Sequence, residues 1–147
     1  MNAEPSPSAD LEASCACGQV RIALHGRIRA MLLCACRACQ KATGTGHSAA
    51  MLVDAASLAI DGPVSEFARP AESGATFTSR FCPRCGTPLG GRSSRAPGLA
   101  LVPAGLFGAG ADWFAPSRLI FARSHLAWDL VDAGLPRHET YPERAAP

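Results

Sequence analysis

No run of apolar residues in the chain approaches the roughly 20 needed to cross a bilayer as a helix, so no membrane anchor of that kind is expected. No block of one charge stands out either. Fourteen Lys and Arg face twelve Asp and Glu, a formal charge of +2. Such a balance supplies no basic stripe for a phosphate backbone. Aromatic residues are only 6% of the chain and do not alternate with basic ones, which removes the stacking platforms of a single-strand binder. Met1 to Asp10 is rich in Pro, Ser and Ala and has neither a basic start nor an apolar middle, so no export signal is expected. Repeats, linkers and long amphipathic helical patterns are also missing. A length of 147 residues then suggests one domain, residues 12–141, between disordered tails at 1–11 and 142–147.

Isolated cysteines are absent too. All seven fall in three clusters: Cys15-Ala16-Cys17, Cys34-Ala35-Cys36-Arg37-Ala38-Cys39 and Cys82-Pro83-Arg84-Cys85. Metal binding by thiolates is the best chemical cause for such grouping. The odd number and the closeness of partners in C-x-C argue against a disulfide framework. Reduced cysteines and the lack of an export signal agree on a cytoplasmic location. A structural zinc takes four ligands, whereas a catalytic zinc takes three and keeps one position open. Seven divides into these two sets, the outer pairs closing one site and the central triplet forming the other, although spacing alone permits other groupings. With seven thiolates and two zinc ions the formal charge of +2 becomes −1.

Periodicity predicts an all-β fold. Gln19 to His25 alternates, with Val20, Ile22 and Leu24 on one face. The same period of two lets Cys15 and Cys17 point one way and share a metal. Arg29 to Cys34 reads as a second strand that delivers Cys34, and Cys36 to Ala42 as a short helical turn ended by Gly44 and Gly46. Further strands are expected at Ser48 to Val53, Ser57 to Ile60, Gly74 to Phe81, Leu99 to Leu106 and Arg118 to Ala122. Cys82-Pro83-Arg84-Cys85-Gly86 has the form of a zinc knuckle, with Gly86 free to take a positive φ.

The motifs C-x-C-G-x-V at Cys15 to Val20, C-x-C-x-x-C-Q-K-x-x-G at Cys34 to Gly44 and F-C-x-x-C-G-T-x-L at Phe81 to Leu89 resemble the glutathione-dependent formaldehyde-activating enzyme family, which includes centromere protein V. Arg118-Leu119-Ile120-Phe121, Trp128 and Leu135-Pro136 are similar as well. The resemblance implies a β-tent fold of packed antiparallel sheets with two zinc ions. It implies Cys15, Cys17, Cys82 and Cys85 as ligands of a structural zinc, and Cys34, Cys36 and Cys39 as those of a catalytic one. The implied activity is that of a carbon–sulfur lyase joining glutathione to formaldehyde, the small thiol being the partner. Two positions depart from the family's pattern. Ala35 stands where His is frequent, and Glu12-Ala13-Ser14 replaces a usual glycine.

An incoming thiol could be the fourth ligand of the triplet zinc. The alternative is a closed second site, with His47 or Asp54 as the fourth ligand. A non-enzymatic zinc module that binds protein or nucleic acid is the competing class, with Arg80, Arg84, Arg92 and Arg95 around the knuckle as its contacts. A redox or metal-buffering thiol protein is disfavoured, because no helix or βαβ context follows C-x-x-C. His25, His125 and His138 are expected at the surface, Lys41 in solvent, and Trp113, Phe114 and Trp128 in or over the core.

Overall fold

The computed structural model describes residues 7–142. Most of both expected tails lies outside these residues. Residues 8–11, placed in the first tail by composition, instead belong to a strand, β1 (Ser8–Ser14). It pairs antiparallel with β2 (Arg21–Cys34), from Ser8 opposite Arg27 to Ser14 opposite Arg21. A composition poor in β-formers is overridden here by a partner strand.

The two strands expected at Gln19 to His25 and Arg29 to Cys34 are one. Gly26 reads as a break, yet it sits opposite Ala9 in the ladder. Only a hydrogen fits on its Cα where Ser57 approaches, because a Cβ would stand 2.5 Å from the Ser57 hydroxyl. The continuous strand carries Val20's neighbours Ile22 and Leu24 inward, and all three are buried as alternation requires.

The remaining strands are β3 (Ser48–Asp54), β4 (Leu58–Asp61), β5 (Ser65–Pro70), β6 (Thr76–Phe81), β7 (Pro88–Ser93), β8 (Leu99–Pro103) and β9 (Leu119–Ile120). Their order is β1-β2-β3-β8-β7-β6-β5, with β4 and β9 also pairing β2. The fold is mostly β and antiparallel, as expected, although β9 runs parallel to the end of β2 and Leu119 also bridges Arg137 in parallel. One α-helix, α1 (Arg37–Thr43), and short 3-10 segments complete the described elements. The strand expected over Leu99 to Leu106 stops at Pro103 and continues as a 3-10 segment, Ala104–Ala111.

The chain divides into two compact units. Of the described residues, 7–30 and 51–114 form the first, and 31–50 and 115–142 the second. The first has an aliphatic core that includes Val20, Ile22, Leu24, Ile28, Met51, Val53, Leu89 and Val102. In the second, Cys34, Ile120 and Phe121 pack together with Leu32, Cys36 and Cys39 against them. Of the three aromatics expected in or over the core, Phe114 is half-buried and the two tryptophans are not buried. Trp113 and Trp128 are exposed, the latter by 65%. Close-packed sheet faces take aliphatic side chains more readily than indoles whose N–H must find a partner.

Candidate metal centres

The four outer cysteines meet in the first unit. Cys15 and Cys17 project from the turn between β1 and β2, and Cys82 and Cys85 from the turn between β6 and β7. Their sulfurs all lie within 4.8 Å of one another, with Cys15–Cys17 at 3.5 Å and Cys17–Cys82 at 3.8 Å. Sulfurs about 2.3 Å from one centre in a tetrahedron stand about 3.8 Å apart, so the cluster has zinc dimensions. Those separations also exclude a disulfide, whose S–S bond is about 2.05 Å.

Backbone geometry holds the knuckle ready. Gly86 has φ 76° and donates its N–H to Cys82 O at 2.9 Å, a tight turn that a residue with Cβ would strain. Val20 N–H donates to Cys15 Sγ at 3.3 Å. The Thr87 hydroxyl serves both halves: it accepts from Ala16 N–H at 3.0 Å and lies 3.1 Å from Cys85 Sγ. That hydroxyl, followed by the Thr87 and Cys17 backbone, pulls the Cys85 thiol down to about 5. A thiolate at neutral pH is a ligand already prepared.

The triplet Cys34, Cys36 and Cys39 lies in the second unit, its sulfurs likewise within 4.8 Å of one another. β2 ends on Cys34, and α1 begins directly after Cys36. Cys36 caps that helix, its sulfur accepting from Cys39 N–H at 3.3 Å. Gln40 braces the turn by donating to Ala35 O and Ser124 O, both at 2.9 Å. Gly44 closes the helix at φ 71°. The adjacent Cys36 and Cys39 thiols, and then burial, push the Cys34 thiol far above its ordinary value. Three thiols crowded in this way cannot all ionise without a cation between them, which is what the donor set is suited to receive.

Neither residue expected to close the triplet joins it. His47 Nδ1 is bound to Asp129 Oδ2 at 2.7 Å. Asp54 accepts a forked pair from Arg29 Nη2, 3.0 Å to each oxygen. Among the described residues no fourth Cys, His, Asp or Glu belongs to the cluster. Spacing made His47 a natural candidate; its ring lies outside the cluster, its Nδ1 facing a carboxylate 82 residues away in sequence.

The same carboxylate explains His125, which is not the surface residue expected. Its Nε2 lies 3.2 Å from Asp129 Oδ2, and Arg137 meets its Nδ1 at 3.2 Å. This His47–Asp129–His125–Arg137 network was not foreseeable from any local motif. His25, by contrast, does pair across strands, with Asp10 opposite it in register. Lys41, Arg84 and Arg95 are exposed, and Arg80 pairs with Glu66.

A mostly β chain with two separate thiolate clusters, one of four sulfurs and one of three, defines a protein able to hold two metal ions. The sequence pattern of the family described as glutathione-dependent formaldehyde-activating enzyme matches residues 10–124, and the chain belongs to that family. Membership places it among enzymes of glutathione-dependent formaldehyde activation. The comparison with curated proteins found no match. Among solved structures, a structural-genomics crystal structure of a Rhodobacter sphaeroides protein is similar, with TM-score 0.54 and 15% identity, over 67% of this chain and 89% of that one. At that identity the likeness concerns the fold. Among the described residues no helix is long and apolar enough to cross a membrane, which leaves β-barrels unaddressed.

Proposed function

We propose that the protein is a zinc-dependent, cytoplasmic carbon–sulfur lyase-type enzyme that joins or separates a small thiol and an aldehyde. Residues 12–141 act in this reading as one zinc-binding domain. Cys15, Cys17, Cys82 and Cys85 hold a structural zinc. Cys34, Cys36 and Cys39 hold a catalytic one, whose fourth position is for the substrate sulfur. Glutathione with formaldehyde is the first pair to test, given the family.

One observation carries the reading: three sulfurs converge while neither candidate closing residue, His47 or Asp54, lies in their cluster. Zinc held by three thiolates supplies a soft positive centre that keeps an incoming thiol deprotonated near neutral pH. The chain's own residues set the geometry. Cys34 is fixed by burial, Cys36 and Cys39 by the capped turn, and the turn by Gln40. In the synthetic direction the thiol gives up its proton, its sulfur bonds to the aldehyde carbon as the C=O π bond breaks, and the oxygen takes up one proton to become hydroxyl.

Cobalt-substituted protein tests this directly. A thiol that joins the coordination sphere strengthens the sulfur-to-cobalt charge-transfer band in wild type and not in Cys36→Ala. That variant should lose adduct formation and keep its fold. A band that no thiol perturbs would favour a closed interaction module.

A further inference from the structure

Arg118 is the one described residue with a hidden polar side-chain atom and no hydrogen-bond partner, its Nε. Leaving a buried donor unmatched is costly, the more so on a charged group, so its persistence calls for an explanation. No carboxylate of the described residues pairs with it. Asp129 is held by His47 and His125, and Asp132 accepts from Gly134 N–H.

The ladder fixes the face on which Arg118 stands. Leu33 N–H donates to Arg118 O and Ala35 N–H to Ile120 O, both at 3.0 Å, the regular pattern of a parallel pair. Residues 118 to 120 are therefore extended, and alternation puts Arg118 on the face of Ile120. Ile120 packs with Cys34, Cys36 and Cys39, and Leu32 belongs to the same cluster from β2. Leu119 and its register partner Leu33 take the opposite face. Arg118 thus lies two residues, about 7 Å of strand, before the residue that stands opposite Cys34.

The structure assigns Arg118 as the anchor for a carboxylate carried by the thiol substrate, a specificity residue of the three-cysteine site. This rests on the lyase reading above. An arginine fork presents parallel N–H groups that match a carboxylate in two bonds, and Nε is one half of that fork. A thiol bearing a carboxylate a few bonds from sulfur would satisfy the orphan donor while its sulfur meets the cysteines. Neutral thiols of equal length would not.

The test compares mercaptopropionate with its neutral amide on cobalt-substituted wild type and Arg118→Leu. Wild type should bind the acid at least about tenfold more tightly, as expected for a bond to a charged group. Arg118→Leu should lose that preference and bind the amide unchanged, which also reports an intact fold and site. In zinc-loaded protein, the Arg118 Nε–H resonance, identified by its absence from the variant, should shift with mercaptopropionate and not with the amide. A preference retained in Arg118→Leu, or an unmoved resonance, overturns the assignment. If no thiol perturbs the cobalt band, the lyase reading fails by itself. Propionate then decides on Arg118: a shifted Nε–H keeps it as an anion site, and an unshifted one removes it.

Discussion

Gly46 lacks a side chain where the Asp129 carboxylate occupies the space a Cβ would need. Gly46→Ala should therefore push Asp129 off His47 and His125 and cost about 1–3 kcal/mol, read as a lowered melting temperature. Asp129→Asn, which keeps the shape, should cost less. Thr87 offers a second test, because its hydroxyl lowers the Cys85 thiol to about 5. Thr87→Val should return that thiol toward its usual range. Protons would then compete with zinc as pH falls, so affinity at the four-cysteine site should drop more at about pH 6 than at about pH 8. Chelator competition at the two pH values measures this. The cysteine sets were legible at this scale because ligand chemistry is written in residue type and short spacing. The partners of His47 were not, since only folding brings residue 129 to it.

Among the elements, α1 is short and depends on its tethers. Gln40 ties it to Ala35 O and Ser124 O, and the candidate ligands Cys36 and Cys39 ride on the same turn. Gln40→Ala should lower metal affinity of the triplet by about tenfold or more while leaving the four-cysteine site loaded, a split that metal analysis after dialysis would show. Strand legibility followed side-chain chemistry. Alternating Val20, Ile22 and Leu24 announced β2, whereas β7 was missed because Pro88 and two glycines read as loop. Those glycines have a packing cause. A Cβ on Gly91 would stand 2.5 Å from the Phe77 ring, and Gly90 sits at φ 111° against Leu101 O. β1 was missed for the opposite reason, its residues being permissive rather than diagnostic.

For the whole molecule, each compact unit carries one cluster. Mild chelation should strip the three-cysteine site first and leave a folded protein with about one zinc, followed by metal content and circular dichroism. Simultaneous loss of both metals with unfolding would count against the division. Cys15→Ser or Cys85→Ser should lower the melting temperature by about 10 °C or more, through loss of a few kcal/mol of metal-linked folding energy. Unchanged melts would remove the structural role. The two clusters also differ in how far apart their members stand along the chain. Cys17 and Cys82 are 65 residues apart, whereas the triplet runs only from the end of β2 into the first turn of α1. During vectorial synthesis the triplet leaves the ribosome as a complete ligand set while the outer site still lacks its second half. A nascent chain thus presents the three-cysteine cluster to metal first, and an ion bound later by the four-cysteine cluster would act as the clasp that closes a long loop.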